Sequence, residues 1–207
     1  LGSPRMAEMV IGEKVTLEEM GGAKMHCSVS GCGDVLVKSE EEAIQLCKDY
    51  LRYMPVNCDQ KVPALPAHEP KVFEKNIEEV IPEKENIPFD MHLVIERLID
   101  ADTFFEIKKL FAPELITGFG RIGGRAVGIV ANQPAVLAGV LDSNSSRKAA
   151  RFVRFCDAFN IPLVTLEDVP GFLPGTQQEY NGIILHGAKL LYAYGEATVP
   201  KITVVLR

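Results

Sequence analysis

The spacing of apolar positions changes along the chain, and each change marks an element. In residues 1–60 it is helical around a turn-rich piece. Ser39-Glu40-Glu41-Glu42 resembles a capping box. After it, Ala43, Leu46, Cys47, Tyr50, Leu51 and Met54 recur at helical spacing until Pro55. Residues 61–88 break the pattern with five prolines and many charges, a linker composition that divides the chain into a small part (1–60) and a larger one (89–207). The larger part opens with a helix predicted over 91–98 and a second helical piece over 104–111, before Pro113. In "LITGFGRIGGRAVGIVANQPAVLAGVL", β-branched residues and the Gly123-Gly124 turn predict two paired strands, with a third after the Asn-Gln-Pro corner. A helix follows over 145–160, with Ala149, Phe152, Val153, Cys156 and Phe159 on one face. A strand over 161–169, a helix over 179–197 and a strand over 200–207 complete the order.

Helices that separate apolar strands imply parallel crossovers over a buried sheet, an α/β fold. In such folds ligands sit at the carboxyl ends of strands. The stretch "TLEDVPGFLPGTQQEYNG" lies at such an end. Gly171 and Gly175 let the backbone take φ > 0 or approach a ligand closely, and Pro170 and Pro174 fix φ and remove donors. The N–H groups of Thr176, Gln177 and Gln178 are left facing outward, which suits an oxyanion, a ureido carbonyl or a carboxylate. A strand-to-helix connector with its own caps is the plainer reading of the same residues.

Composition narrows the partners. The chain has 207 residues, 47% apolar and 24% charged, ordinary for a globular protein. No apolar run approaches the ~20 residues of a membrane helix. A net charge of −6 argues against a nucleic-acid partner. Five cysteines (27, 32, 47, 58 and 156) form no C-x-x-C pair, which fits reduced thiols. Cys27 and Cys32 with His26 do not meet zinc spacing, so no metal is expected.

Other residues have two readings each. Arg147, Arg151 and Arg154, with Lys148 beside them, suit either phosphates or a solvated face. His186 is an acid–base residue or a packed histidine between Gly182 and Gly187. Arg121, near the hairpin turn, reads by itself as a surface residue. A nucleophile elbow, Walker glycines and a metal signature are all absent.

Longer stretches are more specific. "TGFGRIGGRAVGIVANQPAVLAGVLD", "KAARFVRFCDAFNIPLVTLEDVPGFLPGTQQE" and "GIILHGAKLLYAYGEATVPKITVVLR" resemble the carboxyltransferase (β) subunits of biotin-dependent acyl-CoA carboxylases, of the propionyl-CoA and methylmalonyl-CoA type. "GEKVTLEEMGGAKMHCSVSGCGD" resembles the end of that family's first half. The resemblance implies a crotonase-like fold in two related halves, with this chain as the tail of the first half, the linker and most of the second. It implies transfer of a carboxyl group from carboxybiotin, on a carrier protein, to the α-carbon of an acyl-CoA. Two anions are then stabilised, the acyl-CoA enolate and the biotin ureido oxyanion, by backbone N–H groups of Gly-Gly-Ala-type motifs. Gly21-Gly22-Ala23 is not such a motif, so the oxyanion-hole glycines are expected outside these residues, and the fragment alone is expected to be inactive. The resemblance assigns pocket roles to Asn132, Gln133, Pro134, Gly171, Phe172, Pro174 and Gly175, and places Arg121 near the transferred carboxylate. It implies biotin carboxylase and biotin carboxyl carrier subunits as partners and a ring-like hexamer in the cytoplasm or the mitochondrial matrix. The carboxyltransferase part of a decarboxylase and a non-catalytic assembly module are the alternatives.

Overall fold

The computed structural model describes residues 2–57, 59–84 and 86–207, so Cys58 lies outside the described residues. The chain opens with α1 (Pro4–Ile11), α2 (Leu17–Gly21), α3 (Ala23–Met25), which runs into a π-helical turn (His26–Ser30), and α4 (Glu40–Leu51). Local chemistry starts these helices. Thr16 and Glu19 form a reciprocal capping box on α2. Ser39 caps α4 by accepting from the Glu42 N–H at 3.2 Å. Glu42, however, reaches back to the N–H of Lys38, at 2.8 Å, and not to that of the cap residue. The box expected there is closed one residue early.

The described residues of 61–88 contain α5 (Ile77–Val80) and are otherwise irregular. They lie along the larger part. The Leu65 N–H donates to the Gly124 carbonyl at 3.0 Å, and the Ala101 N–H donates to that of Glu69 at 3.3 Å. Ile77, Val80 and Ile81 pack on its core.

After α6 (His92–Leu98) comes a five-stranded sheet in sequence order: β1 (Phe105–Ile107), β2 (Leu115–Ile122), β3 (Arg125–Asn132), β4 (Leu163–Glu167) and β5 (Lys201–Val205). The β1–β2 and β2–β3 pairs are antiparallel, and β3–β4 and β4–β5 are parallel. Helix α7 (Ser143–Ala158) crosses from β3 to β4. Helices α8 (Thr176–Tyr180) and α9 (Ile183–Glu196) cross from β4 to β5.

The strands alternate between two cores, as a period of two requires. Along β3, Ala126 and Val130 face α7, while Val127, Ile129 and Ala131 face α6. Phe119 on β2 is 1% exposed and meets the rings of Tyr53, Phe152 and Phe155 at 5.6, 5.1 and 5.9 Å. Burying such a ring is worth about 1.5–3 kcal/mol, and it draws the end of the N-terminal part, Tyr53 and Met54, into the main core.

Three expectations are corrected. The segment 104–111 is no helix: β1 pairs Phe105 with Phe119. Phe104 and Phe105 point into opposite cores, which neighbouring residues do in a strand. No strand follows Asn-Gln-Pro. Leu137, Ala138 and Gly139 all take positive φ (47°, 54° and 71°) and curl into a left-handed turn. The helix over 179–197 is two helices, parted at Gly182 with φ 73°.

Candidate functional site

The carboxyl ends of β3, β4 and β5 lie side by side because these strands are parallel. Three connections leave that edge: residues 133–142, residues 168–175, and Leu206 with Arg207. Asn132 joins the first two. Its amide donates to the Gly139 carbonyl at 2.9 Å, and its oxygen accepts from the Asp168 N–H at 3.4 Å. Further along, the Leu141 N–H donates to the Gly171 carbonyl at 3.0 Å, and the Leu173 N–H donates to the Leu141 carbonyl at 2.8 Å. Gln178 accepts from the Ser143 N–H and hydroxyl at 3.1 and 3.2 Å. Arg207 adds the third connection. It donates to Asp168 from Nε and from its terminal nitrogen at 3.2 and 2.8 Å. It also donates to the carbonyls of Lys84 and Ile87 at 3.0 and 3.1 Å, and it lies over the Phe89 ring.

The loop over 168–175 runs between two cavities. Asp168, Val169 and Pro170 line a cleft of about 720 Å³, together with Pro134, Ala135, Ala138 and Arg207. Phe172, Leu173 and Pro174 line an apolar one of about 490 Å³ against Ile184, Gly187 and Leu191 of α9. Gly171 has φ 135° and Gly175 φ 133°, and a Cβ on either would meet nothing within 4 Å. These glycines are therefore set by backbone conformation and not by crowding. Among the described residues, the N–H groups of Gly171, Gly175, Thr176 and Gln177 meet no protein acceptor. The Gln178 N–H, expected with them, instead donates to the Gly175 carbonyl at 3.0 Å. Phe172 is 50% exposed.

Gln133 works from inside. It is 5% exposed, and its Oε1 accepts from the N–H groups of Met91 and Ala135 at 3.1 and 3.3 Å. Its Nε2 donates to Asp90 Oδ1 at 2.7 Å. His92 completes the cluster, with Nδ1 2.8 Å from Asp90 Oδ1 and Nε2 3.1 Å from Glu106 Oε2. The hydrogen bond to Glu106 holds His92 above the ordinary histidine range; burial opposes this and Asp90 adds to it. Burial works against ionised Asp90, yet hydrogen bonds from Gln133 and His92 hold its carboxyl below the ordinary range.

The structure brings Asn132, Gln133, Pro134, Gly171, Phe172, Pro174 and Gly175 to one edge of the sheet. It does not bring Arg121 there. β2 runs antiparallel to β3, so Arg121 pairs with Ala126 while Asn132 pairs with Leu115. The six residue steps from Ala126 to Asn132 span roughly 20 Å of strand. Arg121 is 3% exposed. Its guanidinium donates to the carbonyls of Pro63 (3.0 Å), Gly124 (2.8 Å) and Arg52 (2.7 Å), beside the Tyr53 ring. This is a buried tie among the hairpin, Pro63 and the C-cap of α4, not a surface residue.

The remaining candidates also separate. Arg147, Arg151 and Arg154 are exposed on α7, whereas Lys148 is buried and donates to the carbonyls of Phe111, Ala112 and Leu115. Burial lowers it to about 8. His186 has an Nδ1 without a hydrogen-bond partner, and desolvation lowers its pKa. His26 Nδ1 lies 2.9 Å from the Ser30 hydroxyl. Cys27 is buried and Cys32 exposed. Among the described residues no three His, Cys, Asp or Glu side chains are arranged so that they could hold a metal ion.

Sequence reasoning missed Asp168, Arg207 and the Asp90–His92–Glu106 cluster. A signal existed for the first pair. In the parallel register Glu167 stands opposite Val205, so the opposite charges one and two residues further on leave neighbouring strands at the same edge.

Helices on both faces of a sheet whose strands end on shared loops make this a crotonase-like α/β fold. The chain belongs to the carboxyl transferase domain family, which matches residues 1–207. It is 62% identical over 207 residues to the uncharacterized carboxylase YngE of Bacillus subtilis (strain 168), covering 100% of this chain and 40% of the relative. It is 54% identical over 212 residues to the biotin-dependent acetyl-/propionyl-coenzyme A carboxylase beta5 subunit of Mycobacterium tuberculosis (strain CDC 1551 / Oshkosh), covering 99% and 38%. The solved transcarboxylase 12S, a hexamer assembly with hydrolyzed methylmalonyl-coenzyme A bound, matches with a TM-score of 0.95 at 47% identity, covering 100% and 41%. The chain thus spans about two fifths of the length of these relatives.

Proposed function

We propose that the chain forms the biotin-side wall of a biotin-dependent acyl-CoA carboxyltransferase. Carboxybiotin on a carrier protein enters beside the loop over 168–175, and its carboxyl group passes to the α-carbon of propionyl-CoA or acetyl-CoA. The N–C bond of carboxybiotin breaks, a C–C bond forms at the acyl-CoA α-carbon, and the α-proton ends on the biotin ureido group that the carboxyl group has left. Charge that builds on the ureido oxygen needs N–H donors already in place, and one such donor is worth about 3–4 kcal/mol.

The observation that carries this reading is the pair of open amides at Gly171 and Gly175, on a stiff loop between two cavities. The ties from Asn132, Leu141 and Arg207 hold the loop before a ligand arrives. Phe172 and Pro174 offer an apolar surface of the kind a ring system packs on. The names of the relatives support the biotin and acyl-CoA chemistry. The partners are biotin carboxylase and biotin carboxyl carrier subunits, and further copies of the chain in a ring-like hexamer. No described helix is long and apolar enough to cross a membrane, and the proposed setting is the cytoplasm or the mitochondrial matrix.

Calorimetry with biocytin tests the reading. Heat of binding is expected for the 207-residue chain, alongside no turnover in a radiolabelled carboxyl-transfer assay. An absence of biocytin binding at millimolar concentrations overturns the biotin-side assignment. Turnover by these residues alone overturns the expectation that part of the active site lies elsewhere.

A further inference from the structure

His92 stands between two carboxylates, one hydrogen bond away from a residue that shapes the 720 Å³ cleft. As an imidazolium it donates from both ring nitrogens, Nδ1 to Asp90 and Nε2 to Glu106. Gln133 Nε2 then donates to the same Asp90 oxygen at 2.7 Å. A neutral ring has one N–H, so one carboxylate faces a lone pair. If Nδ1 is bare, Gln133 Nε2, only 3.1 Å away, can turn its hydrogen to the ring and leave Asp90. If Nε2 is bare, Glu106 is released. With Nδ1 bare the Asp90–Gln133–His92 triangle rearranges; with Nε2 bare the tie from that triangle to Glu106 is lost. Gln133 Oε1 accepts from Ala135 N–H, and Ala135 lines the cleft with Pro134. The rearrangement therefore reaches the cleft wall through a single side chain.

The charged surroundings favour the imidazolium. Glu96 of α6, Asp100, Asp102 and Glu106 line one cavity with His92, facing Lys71 and Lys109. Lys71 is held by Asp102 at 2.6 Å, and Lys109 stands 3.8 Å from Glu106.

We infer that His92 is a positioning residue for the cleft: as a cation it clamps Asp90 to Glu106, and this sets Gln133 and the wall at residues 133–135. That the wall faces a biotin ligand rests on the function proposed above; the clamp itself does not. Because His92 is held above the ordinary value of 6.5, the clamp is complete below that pH. It is lost as pH rises through the higher folded-state value.

The test is a heteronuclear NMR titration of the 207-residue chain, with biocytin binding measured on the same samples. The Gln133 side-chain amide and the Ala135 N–H are expected to shift together with the His92 ring, at a midpoint above that of a free histidine. Protection factors for hydrogen exchange at Met91 and Ala135, which remove the intrinsic acceleration with pH, should fall several-fold above that midpoint. His92→Arg keeps a permanent two-pronged cation and should hold both reporters at their low-pH positions throughout. His92→Gln should hold them at their high-pH positions. Reporters that ignore the His92 titration in the parent chain, or that still titrate in His92→Arg, overturn the clamp. Reporters that move while biocytin affinity stays identical in the parent, His92→Arg and His92→Gln across the same pH range overturn the positioning role. If biocytin does not bind at all, the biotin reading fails, and the clamp is decided by the amide signals.

Discussion

At the hairpin end of the sheet, Arg121 gives its guanidinium hydrogens to three carbonyls, and Asp100 accepts from the N–H groups of Gly123 and Gly124 at 2.8 and 2.7 Å. At the opposite end, Gly171 and Gly175 keep N–H groups that no protein atom accepts among the described residues. Both regions look alike as text: glycines near an aromatic, at a bend after an apolar run. The difference lies in what surrounds the polar atoms. Buried polar groups are nearly always paired, because an unpaired one costs about 1–3 kcal/mol. Pro63, Leu65 and the residues just after α4 cover the hairpin end, so its donors are committed to the fold. The loop after β4 lies open between cavities, so its donors remain available to a ligand.

Three substitutions probe this contrast, in falling order of effect. Arg121→Ala removes a buried cation that serves three carbonyls and should lower stability by about 3–5 kcal/mol. A urea denaturation midpoint that does not move would show that the hairpin end is not held this way. Gly171→Ala forces a side-chain-bearing residue to φ 135° and should cost about 1–3 kcal/mol. It should also weaken biocytin binding measured by calorimetry; unchanged affinity would separate the open amides from the ligand. Ser39→Ala removes the cap of α4, whose last turn leads to the Arg52 carbonyl held by Arg121. It should cost about 1 kcal/mol in thermal unfolding, and a loss as large as that of Arg121→Ala would mean that the hairpin end depends on the whole helix and not on its final carbonyl.

Much of the fold was legible. Of the five residues assigned to one face of α7, Ala149, Phe152, Val153 and Cys156 are buried, whereas Phe159 is half-buried and stands just past the helix end. The Gly123-Gly124 turn marked the β2–β3 hairpin. β1 was misread because three residues are too few to display a period, and its partner Phe119 lies fourteen positions beyond Phe105. The left-handed turn at Leu137–Gly139 was read as a strand because apolar residues there suit either conformation; the Asn132 amide bound to the Gly139 carbonyl selects the turn. In the site, prolines and glycines revealed where the loop after β4 stands. Its ties to Leu141 and Arg207, and the histidine clamp behind Gln133, join residues far apart in the chain and leave no local pattern.

Local order therefore follows from neighbours a few positions away: side-chain spacing, caps and turn residues act over one or two turns of backbone and can be read along a line. Whether a polar group is closed or open does not. Arg121 and Gly171 differ only in three dimensions: packing brings the carbonyls of Pro63 and Arg52 to the one and, among the described residues, no protein acceptor to the N–H of the other, because hydrogen bonding and burial depend on distance in space.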